Sequence, residues 1–238
     1  MIFNNIAFRD WETGGKNKYS CQPIQLACVM IDLKRLEVIE DSLFESTLKP
    51  FFTDEECDKH GVDPIEDEAL KKNGFTREEL QDAPDPKLVW QNYCDYLKNY
   101  NLKGKDGGKW DAPAVGGYNN SNFDNVIDVR MCEKHGPKLD EWGGWSMYHP
   151  FLNFDAMQQV QNVFHAKKIN AFNSMSMDAM REYFGYSTEN AHKADVDVKQ
   201  GADMLIRFLK LNKALVNGEL DLPKGKKIKF KGCVGGKL

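Results

Sequence analysis

The period of the apolar positions changes along the chain. A short mixed run from Asn5 to Trp11 and a longer one, Pro23 to Leu33 (PIQLACVMIDL), are rich in β-forming residues and predict strands. Thr13 to Ser20 (TGGKNKYS) lies between them with the composition of a turn. Thr47 to Phe52 predicts the end of a further strand, stopped by Pro50. From Asp54 the character changes. Asp63–Lys72 and Thr76–Gln81 hold helix formers, and Thr76 with Glu79 has the spacing of a capping box. Beyond Pro84 and Pro86, Leu88, Val89, Tyr93 and Leu97 recur at helical spacing within Lys87–Asn99. Lys103–Lys109 is a loop by composition, Ala114–Gly117 a short buried strand, and Asp124–Cys132 a helix. The Gly- and Trp-rich passage through Trp145 shows no period, whereas Phe154–His165, Ser176–Phe184 and Ala194–Leu215 are amphipathic helices. Strands first, helices later and one strand returning between helices predict an α/β fold, a mixed sheet flanked by helices. There is no internal repeat and no linker that would divide the chain. The expectation is a single domain over 1–222, followed by a tail, 223–238, with six lysines and no acid.

Composition narrows the choices. The 238 residues are 41% hydrophobic and 29% charged, enough for a sizeable core. The formal charge of −4 gives no global electrostatic reason to expect a nucleic-acid binder, so that reading must rest on local sites. No run approaches the ~18 apolar residues of a membrane span, and the first twenty residues mix charge and glycine where a signal peptide needs an apolar stretch. The six scattered cysteines contain no CxxC and read as reduced thiols of a cytoplasmic protein.

Three local features could carry chemistry. In Asp10-Trp11-Glu12, strand alternation puts both carboxylates on one face and Trp11 on the other. Close carboxylates repel unless a cation sits between them, and Mg²⁺ prefers such oxygen ligands; solvated surface acids are the plainer alternative. Gly117-Tyr118-Asn119-Asn120-Ser121-Asn122-Phe123-Asp124 is a polar turn into a helix, and by itself it reads as a capping cluster with Asp124 favoured by the helix dipole. Ala191-His192-Lys193-Ala194-Asp195-Val196-Asp197 sets a histidine in a loop before a long helix, with Asp197 in that helix's first turn.

Together, D-x-E on a first strand, N-x-x-F-D at a helix start and H-x-A-x-x-D at a late helix resemble the DEDDh 3′–5′ exonucleases, the DnaQ-like family of proofreading and RNA-trimming enzymes. Ile24-Gln25-Leu26-Ala27, Leu48-Lys49-Pro50, Asn73-Gly74-Phe75-Thr76 and Phe154-Asp155 support the match, which extends from about Asn5 to Leu211. The resemblance implies a ribonuclease H-like fold in which Asp10, Glu12, Asp124 and Asp197 hold two Mg²⁺ (or Mn²⁺) ions and His192 is the general base. It also implies that Thr13, with Asn120 as a second candidate, meets the terminal nucleotide. The activity implied is hydrolytic release of nucleoside monophosphates from the 3′ end of single-stranded DNA. An RNA substrate or a non-catalytic binding subunit are the alternatives, and a polymerase is a conceivable partner.

Two departures stand out. Arg9 precedes the first aspartate where relatives place an apolar residue, so it either faces a partly open surface or makes a buried pair. Gly14 stands where the family more often has threonine. Two CxxH units, Cys57–His60 and Cys132–His135, would complete a zinc site if they met in space, with coincidence as the alternative. The lysine tail reads equally as a guide for a nucleic-acid strand or as a solvated end.

Overall fold

The computed structural model describes residues 5–138, 147–167, 174–188, 191 and 193–217. Of the six strands among the described residues, five run in the order β3 (Glu37–Val38), β2 (Pro23–Asp32), β1 (Ile6–Thr13), β5 (Ala114–Gly117) and β6 (Asn153–Asp155), and β4 (Phe44–Thr47) pairs with β2 further along. Strand β1 is antiparallel to β2 and parallel to β5, which in turn is parallel to β6. The short β3 and β4 lie against different parts of β2. Three features depart from the sequence expectation. The strand expected to run through Thr47 to Phe52 is β4 and ends at Thr47, β3 is too short to leave a periodic signature, and Phe154-Asp155 belong to a strand rather than to the following helix.

Between β4 and β5 come α1 (Asp54–His60), α2 (Asp67–Asn73), α3 (Arg77–Gln81) and α4 (Pro86–Lys98). The capping box expected at Thr76 forms, with Glu79 accepting from the Thr76 backbone N–H at 2.8 Å. After β5 follow α5 (Asp124–His135), then β6, α6 (Ala156–Lys167), α7 (Met177–Phe184) and α8 (Ala194–Val216). No helix of the described residues is long and apolar enough to cross a membrane.

Alternation along β1 builds two cores. Ile6 and Phe8, with Ala27, Val29 and Ile31 of β2, pack against Ala194, Val198, Ala202 and Leu205 of α8. Ala7 and Trp11, with Leu26, Cys28 and Met30, pack against Val89, Trp90 and Tyr93 of α4 and Ile127 and Met131 of α5. A Cβ at Gly201 would stand 2.7 Å from the Phe8 ring, so this glycine lets α8 lie close on β1 and brings the start of α8 to the carboxylate end of that strand.

The 223–238 tail and His192 lie outside the described residues, as does Cys233. The other five cysteines are buried free thiols.

Candidate active site

The carboxylates gather at the C-terminal end of β1. Asp10 and Glu12 project from the α8 side of the strand, and Asp197 arrives from the first turn of α8. One oxygen from each of the three lies within 4.8 Å of the others, the only group of three or more such ligands among the described residues. Asp124, the first residue of α5, lines the same cleft of about 370 Å³ with Asp10 and Asp197. Its Oδ1 accepts the Trp11 backbone N–H at 2.9 Å, which fixes the carboxylate beside β1.

The electrostatics are those of buried carboxylates crowded together. Burial, followed by the charges of Glu12, Asp124 and Asp197, raises Asp10 well above the usual carboxylate range. Burial and the Asp197 charge push Glu12 up to about 7, against the pull of Lys72. Asp124 is pushed up to about 6 by burial, although Arg9 and the Trp11 N–H favour its ionised form. Hard oxygen donors, converging and disfavoured as anions, suit a divalent cation such as Mg²⁺ or Mn²⁺.

The face behind the carboxylates resolves the Arg9 departure. Arg9 is fully buried and pairs with Asp128 at 2.6 Å, while a second nitrogen donates to Asn125 at 2.5 Å. Trp11 packs on Trp90 with ring centroids 6.1 Å apart and donates its indole N–H to the other Asp128 oxygen at 2.8 Å. The tryptophan is therefore a packing residue, as alternation predicts, and the arginine takes the buried-pair alternative.

The turn before α5 is held from an unexpected direction. Asp155 at the end of β6 accepts the backbone N–H of Asn119 at 3.0 Å and of Ser121 at 3.2 Å, as well as that of Met157 in α6. Asn119 lines the cleft. Asn120 is fully buried beneath Gly117 and donates to Asn153 at 2.8 Å, so the nucleotide contact expected of it does not fit its position.

A second cleft of about 380 Å³ lies on the other flank of Glu12, lined by Thr13, Gly15, Lys16, Lys72 and Asn73, and Trp11 and Phe123 border both clefts. A bulge after Glu12 breaks the β1–β2 register, and Asn73 Nδ2 holds the Thr13 carbonyl at 3.3 Å. The Gly14 departure has a steric cause, since a Cβ there would stand 2.8 Å from Ile65.

Sequence reasoning missed Arg181 of α7, a fully buried guanidinium that donates to Asp197. Nothing in its spacing marks it off from the other charged residues of an amphipathic helix. The two CxxH units do not assemble a zinc site. Cys57 and Cys132 are packed in the interior, His60 stacks on Phe52 at 4.0 Å, and His135 lies against Phe51. Lys199, which flanks the late motif, pairs with Asp195 at 2.9 Å.

No protein-family model and no curated protein matches the chain. Solved structures do. Escherichia coli exonuclease I in complex with a dT13 oligonucleotide superposes with a TM-score of 0.65 at 18% identity, over 90% of this chain and 43% of that one. The zinc-bound form of its complex with single-stranded DNA gives 0.65 at 19%, over 92% and 43%. A product-bound exonuclease I gives 0.61 at 16%, over 94% and 50%. At most half of the exonuclease I chain is therefore spanned. The likeness shows the fold, a single-domain mixed sheet flanked by helices of the ribonuclease H-like kind.

Proposed function

We propose that this protein is a divalent-metal-dependent 3′–5′ exonuclease acting on single-stranded nucleic acid, with DNA as the preferred substrate. The observation that carries the reading is the convergence of Asp10, Glu12 and Asp197, with Asp124 beside them, in one cleft of this fold. A phosphodiester is anionic and repels hydroxide, so its hydrolysis needs neutralised charge, an activated water and a stabilised leaving oxygen. Two divalent ions, when bound, supply all three. Asp10, Glu12, Asp124 and Asp197 would hold them.

The remaining work falls to the chain. The wall formed by Tyr118, Met157, Met175 and Met177 offers the strand an apolar, adaptable surface, which suits bases of any identity. The cleft at Thr13, Lys16 and Asn73 is the place for the terminal nucleotide, with Phe123 between it and the rest of the strand. Asn119, rather than Asn120, is the residue of the polar turn that faces substrate. His192, just ahead of α8 in the sequence, takes the proton of the attacking water, a task for which an imidazole, with an unperturbed pKa of about 6.5, is suited near neutrality. DNA is preferred because the structures that share this fold include exonuclease I bound to single-stranded DNA.

The test is release of mononucleotides from end-labelled DNA and RNA oligonucleotides of matched sequence, with Mg²⁺ and with chelator. Metal-dependent shortening from the 3′ end is expected, faster on DNA; no release from either polymer would overturn the reading. His192→Ala should slow release by roughly 10²–10⁴-fold with metal binding spared. An unchanged rate would remove its assigned role.

A further inference from the structure

The charge at Asp197 is already partly answered from within the chain. Arg181 has no exposed surface, and its guanidinium spreads three bonds over two helices. Nε donates to Gln200 at 2.7 Å, Nη1 to Asp178 at 2.6 Å, and Nη2 to Asp197 Oδ1. Gln200 lies three residues after Asp197 on α8 and is itself tied to the Ser187 carbonyl at 3.0 Å. A buried guanidinium is costly unless its donors are matched, and here the planar fork is matched by fixed acceptors. Asp197 is only 12% exposed, so the bond is shielded from solvent.

We infer that Arg181 is a positioning residue for the metal centre: its guanidinium donates to one oxygen of Asp197 and holds that carboxylate beside Asp10 and Glu12. The inference rests on the metal-dependent reading above and adds to it a part that the four acids do not supply. Asp197 stands on a helix rather than on β1, so its side chain must reach across the cleft to its partners. A carboxylate free to rotate would surrender conformational freedom on each binding event, whereas one clamped by a fork is already in place. The clamp also links α7 to α8 at the cleft, so the spacing of the two helices sets the ligand's position.

The test is direct Mn²⁺ binding, followed by loss of the free-ion paramagnetic resonance signal, in the full-length protein and its variants. Partners that orient metal ligands are typically worth about 10–100-fold in affinity or activity, and Arg181→Met should weaken Mn²⁺ binding by about that factor. Arg181→Lys keeps the charge but not the fork and should recover part of the loss, which a role in packing alone would not produce. Asp178→Asn, at a residue with 51% of its side chain exposed, loosens the clamp without emptying a buried site and should weaken binding several-fold. Thermal melting and circular dichroism report folding. If Arg181→Met does not fold, the lysine and Asp178 variants decide. Folded variants that bind Mn²⁺ as tightly as the wild type, or more tightly, overturn the inference. A wild-type protein that neither binds Mn²⁺ nor shortens oligonucleotides overturns the nuclease reading instead.

Discussion

Arg9→Met is expected to destabilise the protein by roughly 3–5 kcal/mol, the usual cost of removing one partner from a buried ion pair. The guanidinium and the Asp128 carboxylate are both fully buried. Burial works against Arg9's charge, but Asp128 together with Tyr148, Asp124 and Tyr93 outweighs it, and Arg9 is held in its charged form. Asp128 is itself raised by burial, with Arg9 and the Trp11 indole pulling it back. Without Arg9 that carboxylate must take up a proton or remain an unanswered charge. Asp128→Asn keeps an acceptor for the Trp11 indole N–H, so the double variant Arg9→Met/Asp128→Asn should recover most of the loss. Urea unfolding midpoints of the two single variants and the double variant measure the coupling. A single variant as stable as the wild type would show that the pair does not hold the fold. The effect should reach the cleft, because α5 carries Asn125 and Asp128 on Arg9 and Asp124 on the Trp11 N–H. The pair thus bolts the helix that bears Asp124 to the strand that bears Asp10 and Glu12.

This arrangement also marks what the sequence makes legible. Alternation on β1 is a local property, so Asp10 and Glu12 on one face and Trp11 on the other can be read from eight residues. The first-turn position of Asp197 follows from where the apolar period of α8 begins. That these acids meet is not local: it depends on how α8 crosses the sheet, and Gly201 against Phe8 permits that crossing without any periodic signal. Resemblance to a motif supplied the meeting in advance; spacing alone could not. Arg9 was legible only as a dilemma, because a charged residue on a core-facing position states a need without naming its partner 119 residues away. Arg181 did not state even the need, since an arginine on an amphipathic helix is ordinary until its burial is known. The sequence predicts a helix through Asp155 because the three residues of β6 leave too little alternation to oppose the strong helical period that follows. Asn120 belongs to a polar turn whose members part company: Asn119 faces the cleft while Asn120 supports it from beneath.

Glu12→Gln is expected to abolish cleavage and, in chelator at pH 7.5, to make the protein more stable than the wild type. The folded protein keeps the Glu12 proton up to about pH 7, against an ordinary value of 4.5. Between those values the unfolded chain binds fewer protons than the native state, so the stability of the metal-free protein falls as pH rises through that window. Below about 4.5 the penalty is absent, and above about 7 it is present in full. Allowing for solvent screening at a half-buried group, it is on the order of 1–3 kcal/mol. Glutamine has the shape without the charge, so the variant should escape the penalty and show a shallower decline from pH 5 to 7.5. Asp124, raised to about 6, keeps a smaller slope in place. Divalent ions act on the same repulsion from the other side: Mg²⁺ should stabilise the wild type most at the upper end of the window, where it no longer competes with protons, and the variant far less. Denaturant unfolding at pH 5 and 7.5, with chelator and with Mg²⁺, gives all four values. A variant no more stable than the wild type at pH 7.5 in chelator, and still able to shorten an oligonucleotide, would mean that Glu12 neither bears the repulsion nor holds the ion.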